Sequence, residues 1–98
     1  MTEIEQAIGE GLVLADFGMP NCGFCNLMEP AVNELAKTYP QVKVLKVNLQ
    51  EQPAAGEQFK VTDLPLFVLL KDGHEVARLI GTQPFHVLAQ FVQRGLHG

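Results

Sequence analysis

The chain has 98 residues, 47% hydrophobic and 18% charged, a composition of one globular domain rather than of a disordered chain, so residues 1–98 are expected to form a single domain. The net charge is −4 with no run of Lys or Arg, which argues against nucleic acid or an anionic membrane surface as a partner. The first residues, Met1-Thr2-Glu3-Ile4-Glu5, have neither the basic nor the apolar region of a secretion signal, and apolar runs such as 64–70 are far too short to span a bilayer. A cytoplasmic location is therefore expected, although a mature chain whose signal had been removed would read the same.

Thr2 followed by Glu5 has the form of a capping box. Ile4, Ala7 and Ile8 then make a short apolar stripe that Gly9 and Gly11 end, a first helix. Residues 12–17 are nearly continuously apolar and read as a central strand buried on both faces. Pro20 and Asn21 mark residues 18–21 as a loop. A helix is expected over 23–39, with Leu27, Met28, Ala31, Val32, Leu35, Ala36 and Tyr39 at helical spacing and a kink at Pro30, one turn after the cysteines. Val42, Val44, Leu45 and Val47 read as a second strand, and Pro53 opens a short helix through Phe59. Residues 66–70 and 75–80 read as strands joined by the hairpin turn Asp72-Gly73. Pro84 starts a last helix with Phe85, Leu88, Phe91, Val92 and Leu96 on one face. The order α-β-α-β-α-β-β-α predicts an α/β fold, a mixed four-stranded sheet with helices on both faces, its βα units giving parallel strands and its final hairpin antiparallel ones.

Both cysteines of the chain lie in Cys22-Gly23-Phe24-Cys25. A loop this small loses little entropy on closure, so the pair is a poor structural staple, and in a reducing compartment it points to catalysis or metal binding. Between a buried strand and a helix, Cys22 falls at the helix N-terminus, where free N–H groups favour a thiolate. Cys25 falls one turn further in, placed to attack a mixed disulfide on Cys22. The spacing also fits half of a zinc ligand set, but there is no second CxxC, and His74, His86 and His97 are scattered. The arithmetic favours redox chemistry, with no metal.

Asp16 is the one charge in a run expected to be buried. An unpaired buried carboxylate is costly, and burial raises its pKa toward a range useful for proton transfer. The plainer alternative is an exposed Asp at a strand end.

Together these residues resemble the thioredoxin family over about residues 12–96. The resemblance is carried by Asp16-Phe17, Cys22-Gly23-x-Cys25, Pro30, Lys46-x-Asn48, Pro53, Leu64-Pro65, Asp72-Gly73 and Gly81. It implies the thioredoxin fold and a thiol–disulfide oxidoreductase that reduces protein disulfides, with Cys22 as nucleophile and Cys25 as resolving thiol. It implies that Asp16 deprotonates Cys25 through water, with Lys46 supporting proton transfer; the alternative for Lys46 is a solvated surface lysine. Leu64-Pro65 resembles the family's cis-proline loop, which offers backbone groups to an extended substrate segment, although position alone also permits an ordinary strand-start proline. Gly23, Phe24 and Gly81 join that substrate surface. The implied partners are disulfide-containing client proteins and a thioredoxin reductase as electron donor, and no cofactor is implied beyond the Cys22–Cys25 disulfide.

The chain also departs from the family. Asn21 stands for the usual Trp, Gly18 for the usual aromatic and Phe24 for the usual Pro, so a more open site is expected. Phe24 restores a backbone N–H at the helix start, which is expected to stabilise the thiolate and make the disulfide somewhat more oxidising. The segment before the first helix is too short for the family's N-terminal strand, so that strand is expected to be missing and the strand over 42–47 to lie at a sheet edge. Lys43 and Lys46 protect such an edge; pairing with a second copy or a partner is the alternative. Two further functions compete: a glutaredoxin-like or persulfide transferase, against which Gly81-Thr82-Gln83 is not a glutathione-binding segment, and a non-enzymatic binding module, against which stands the intact CxxC.

Overall fold

A computed structural model describes Gly9 and residues 11–97 of the chain. The helix expected from Thr2, and most of its apolar stripe, lies outside the described residues. The apolar run after Gly11 forms β1 (Leu12–Gly18). It is central: on one side it pairs in parallel with β2 (Lys43–Asn48), on the other it pairs antiparallel with β3 (Leu66–Lys71), and β3 carries the antiparallel strand β4 (His74–Ile80). Among the described residues the sheet order is β2-β1-β3-β4, which leaves β2 at an edge, as expected.

The alternation of side chains along each strand divides the core in two. Leu12, Leu14, Phe67 and Leu69 point to one face and pack against Met28, Val32, Leu35, Leu88, Phe91 and Val92. Val13, Ala15, Phe17, Leu66, Val68 and Leu70 point to the other and pack with Ala55 and Phe59. Phe17 and Phe59 meet with ring centroids 5.2 Å apart and planes tilted by 54°, a geometry worth about 1 kcal/mol beyond area burial. Helices therefore cover both faces.

The helix expected over 23–39 is broken. The short helix α1 (Gly23–Leu27) ends at Met28, and α2 (Glu29–Thr38) begins there with Pro30 in its first turn. Pro30 has no N–H to give to the carbonyl of Asn26, and its ring crowds that carbonyl. Met28 instead donates its N–H to the Cys25 carbonyl at 3.1 Å, and the helix restarts with Val32 donating to Met28 at 2.9 Å.

A second difference concerns strand direction. Among the described strands only β1 and β2 pair in parallel. The helix between β2 and β3, α3 (Pro53–Gln58), has 6 residues, about 9 Å of helix, against roughly 20 Å for a strand of the same length. The connection of which it is part brings the chain back to the end of the sheet where β2 stopped, so β3 starts there and runs antiparallel to β1. The hairpin after it forms as read: Asp72 and Gly73 both have positive φ, 50° and 85°, which makes it the two-residue turn that matches strand twist. In β4, Val76 is the extra residue of a bulge, since Leu69 faces Ala77 and Leu70 faces Glu75. The last helix, α4 (Phe85–His97), starts from the Pro84 carbonyl, which accepts from the N–H of Val87 at 3.0 Å and of Leu88 at 3.3 Å.

Candidate active site

The residues read as functional converge at one end of the sheet. There Asn48 lies opposite Gly18, Phe17 opposite Leu66, and Leu66 opposite Ile80. Beyond these pairs, Leu49 donates its N–H to the Gly18 carbonyl and Gly81 donates its N–H to the Pro65 carbonyl, each at 2.9 Å. The row of strand ends is thus Asn48, Gly18, Pro65, Gly81. The chain leaves Gly18, turns with the Cys22 N–H on the Met19 carbonyl at 3.1 Å, and enters α1.

Cys22 is the N-cap of α1, with φ −88° and ψ 104°, and its sulfur accepts the N–H of Cys25 at 3.1 Å. This is the capping position a Ser or Asp usually fills. The helix is only 5 residues long, so the field at Cys22 is that of free first-turn N–H groups rather than of a long dipole. Those groups stabilise negative charge on the sulfur and so favour thiolate over thiol. Cys22 and Cys25 are joined as a disulfide with Cα atoms 5.2 Å apart, and both are half-buried. Gly23 is exposed with open space beside it, and Phe24 is 65% exposed.

Asp16 shares the parity of Leu12 and Leu14 and therefore faces the helix layer that carries the cysteines. It is half-buried at the floor of a cleft of about 240 Å³ that Cys25, Gly18, Glu29, Lys46 and Asn48 also line. Burial pushes its carboxyl up to about 6; the Lys46 ammonium pulls it down and the Glu29 carboxylate adds to the rise. Lys46 lies opposite Asp16 across the β1–β2 register. Its ammonium hydrogen-bonds to Asn33 Oδ1 at 3.2 Å and pairs with Glu29 at 3.8 Å, with the side chain half-exposed. It is both a surface lysine and a charge that acts on the cleft.

The Leu64–Pro65 peptide bond is cis, so the ordinary strand-start reading of this proline is set aside. Pro65 is buried and Leu64 half-buried. Gly81 holds φ +94°, a conformation that costs a residue with a side chain, and this brings its N–H to Pro65. Three residues of this end were not read from the sequence as site residues: Glu29, whose charge acts on Asp16; Met28, whose sulfur accepts the Gln83 N–H at 3.3 Å and ties α1 to the segment after β4; and Gly18, noted only for the missing aromatic. A Cβ at Gly18 would lie 3.4 Å from both Cβ and Sγ of Cys25. None has a signal along the chain, because each acts through a neighbour distant in sequence or turned toward it by the fold. Among the described residues, no three His, Cys, Asp or Glu side chains gather to hold a metal.

The Thioredoxin family model matches residues 2–94. The chain is 36% identical over 88 residues to the thioredoxin of Chlamydia trachomatis, covering 90% of this chain and 86% of that one. It is 39% identical over 85 residues to thioredoxin 1 of Synechococcus elongatus, covering 86% and 79%. Its structure is similar to that of oxidised mitochondrial thioredoxin 3 from Saccharomyces cerevisiae, with a TM-score of 0.87 at 30% identity over 94% of this chain and 87% of that one. It is also similar to Fasciola hepatica thioredoxin, with a TM-score of 0.85 at 32% identity over 95% and 88%.

With a CxxC disulfide at a helix start in this fold, these relatives define the class: a thiol–disulfide oxidoreductase. The chain belongs to the thioredoxin family. The relatives favour neither the glutaredoxin-like nor the binding-module alternative.

Proposed function

We propose that the chain acts as one domain that reduces disulfides of client proteins, with Cys22 as the attacking thiolate and Cys25 as the resolving thiol. The observation that carries this is the N-cap position of Cys22, its sulfur 3.1 Å from the Cys25 N–H. The Cys22 thiolate attacks one sulfur of the client disulfide and expels the other as a thiolate. Asp16, ionised above about pH 6, takes the Cys25 proton through solvent in the cleft. Cys25 then attacks Cys22, releases the client as a dithiol and leaves the Cys22–Cys25 disulfide. Lys46 tunes Asp16 in that step. Gly23, Phe24, Leu64, Pro65 and Gly81 form the client surface, where a client strand lies along the backbone beside Pro65.

The disulfide is the only redox group required, so no cofactor or metal is needed. The electron donor is a thioredoxin reductase, and the setting is electron transfer in the cytoplasm. Among the described residues no helix is long and apolar enough to cross a membrane. The test is reduction of a disulfide-linked protein with a thioredoxin reductase and NADPH. Cys22→Ser abolishes turnover, and Cys25→Ser traps the client as a mixed disulfide on Cys22. A Cys22→Ser protein that still turns over sinks the assignment.

A further inference from the structure

The two cysteines are both half-buried but differ in what borders them. Cys25 lines the Asp16 cleft, whereas Cys22 is not among its walls. Gly18 leaves space beside Cys25: a Cβ there would lie 3.4 Å from both Cβ and Sγ of Cys25, so a longer side chain would occupy the space beside the sulfur. Its φ is outside the left-handed region, so the backbone does not require glycine here, while access to the sulfur does. At about 240 Å³ the cleft is smaller than the ~300–1,000 Å³ of sites for drug-sized ligands. A volume of this size matches a small thiol better than a large ligand. Its walls carry the carboxylates of Asp16 and Glu29 against the single ammonium of Lys46, which is already paired with Glu29 at 3.8 Å. Such walls favour a cationic guest over an anionic one.

We propose that this cleft is a second entrance to the redox pair, through which a small amino-thiol attacks the Cys25 sulfur directly. The inference rests on the thiol–disulfide reading of the same pair. The thiolate forms a bond to Cys25 Sγ, the Cys22–Cys25 bond breaks, and Cys22 leaves as a thiolate. It is the better leaving group, because its sulfur already accepts the Cys25 N–H at 3.1 Å. A second amino-thiol then attacks the sulfur of the first. It releases a small disulfide and leaves Cys25 as a thiol, so two small thiols are oxidised and one protein disulfide is reduced.

The test treats oxidised protein with cysteamine, quenches with acid, alkylates free thiols and locates the adduct by fragment mass. The expected adduct is on Cys25, with the alkyl group on Cys22. Gly18→Leu lowers the rate of Cys25 adduct formation at least tenfold, and mercaptoacetate reacts more slowly than cysteamine at equal thiolate concentration. If intramolecular return clears the adduct, or Gly18→Leu does not fold, a second measurement reads the same access. It is the limiting rate of iodoacetamide alkylation of Cys25 in Cys22→Ser, with and without Gly18→Ala, where at least a threefold drop is expected. A wild-type adduct on Cys22, or equal rates with and without the Gly18 substitution, overturns the second entrance and leaves Cys22 as the nucleophile toward clients. Failure of cysteamine to open the disulfide at either cysteine overturns the second entrance alone; the reading of the pair as a disulfide reductant falls only if Cys22→Ser still turns over client.

Discussion

Asp16 and Lys46 occupy the same register position on neighbouring parallel strands, yet the Lys46 ammonium is engaged with Asn33 at 3.2 Å and Glu29 at 3.8 Å. The cation therefore acts on Asp16 at a distance, and burial outweighs it. The result is a carboxyl that changes charge near neutral pH.

Stability should follow that charge. The Asp16 carboxyl moves from an ordinary 3.8 to about 6 in the fold, so the folded chain binds its proton more tightly than the unfolded one. The sign follows: well below pH 4 both states are protonated and Asp16 costs nothing, between about pH 4 and 6 the unfolded chain gives up the proton that the fold retains, so stability falls across that window, and above about 6 the cost is complete. Asp16→Asn is expected to lie close to the wild type at pH 4 and to exceed it at pH 8 by up to about 3 kcal/mol. Urea unfolding at the two pH values measures this; an equal difference at both would contradict it.

The neighbours should move the carboxyl in opposite directions. Lys46→Met removes the charge that lowers it and raises the midpoint above 6, while Glu29→Gln removes a charge that raises it and brings the midpoint down. Carboxyl ¹³C chemical shifts across a pH series read the midpoint directly. Shifts of the same sign in both variants would mean that repacking, not charge, sets the value.

Phe24 bears on the redox poise. As a first-turn residue of α1 it carries an N–H that a proline would lack. Phe24→Pro removes one donor from the region of the Cys22 sulfur, destabilises the thiolate and makes the couple more reducing, by up to ~30 mV, or about 1.4 kcal/mol for two electrons. Equilibration in graded glutathione buffers with alkylation and mass readout gives the potential. A shift to a more oxidising value would assign the residue at this position a different role.

Gly95 lies where α4 crosses the sheet most closely. A Cβ there would come within 2.8 Å of Leu12 Cδ1 and of Leu69 Cδ2, both on buried side chains. Gly95→Ala gains some helix propensity, up to ~1 kcal/mol, but overpacks the core, which costs about 1–3 kcal/mol. A net loss of roughly 1–2 kcal/mol in urea unfolding is expected. A stabilised variant would show that the helix can shift outward freely.

Much of this site was legible along the chain because its causes are local. Two cysteines one turn apart after an apolar strand place the first at a helix start, whatever the rest of the fold. Asp16 is conspicuous because a charge in a buried strand needs a reason. Pro30, Pro53 and Pro84 mark helix starts or breaks through their missing N–H, and Asp72-Gly73 sets its turn through backbone sterics. Residue spacing located Leu64-Pro65 and Gly81 only through a family resemblance, because an X-Pro bond and a lone glycine carry no statement of what lies beside them.

The remainder depended on register. The pairing of β1 with β2 puts Lys46 across from Asp16, the pairing of β1 with β3 runs antiparallel, and β3 with β4 brings Gly81 to Pro65. The sequence by itself determined which residues can carry redox chemistry and how the chain cuts into strands and helices, since capping, periodicity and proline sterics act over a few residues. Only the tertiary structure decided that Cys25 and Gly18 line the Asp16 cleft, that Glu29 and Lys46 act on Asp16 in opposite directions there, and that Gly95 lies where a Cβ would crowd Leu12 and Leu69. Those relations are distances between groups that only the packed sheet and helices bring together.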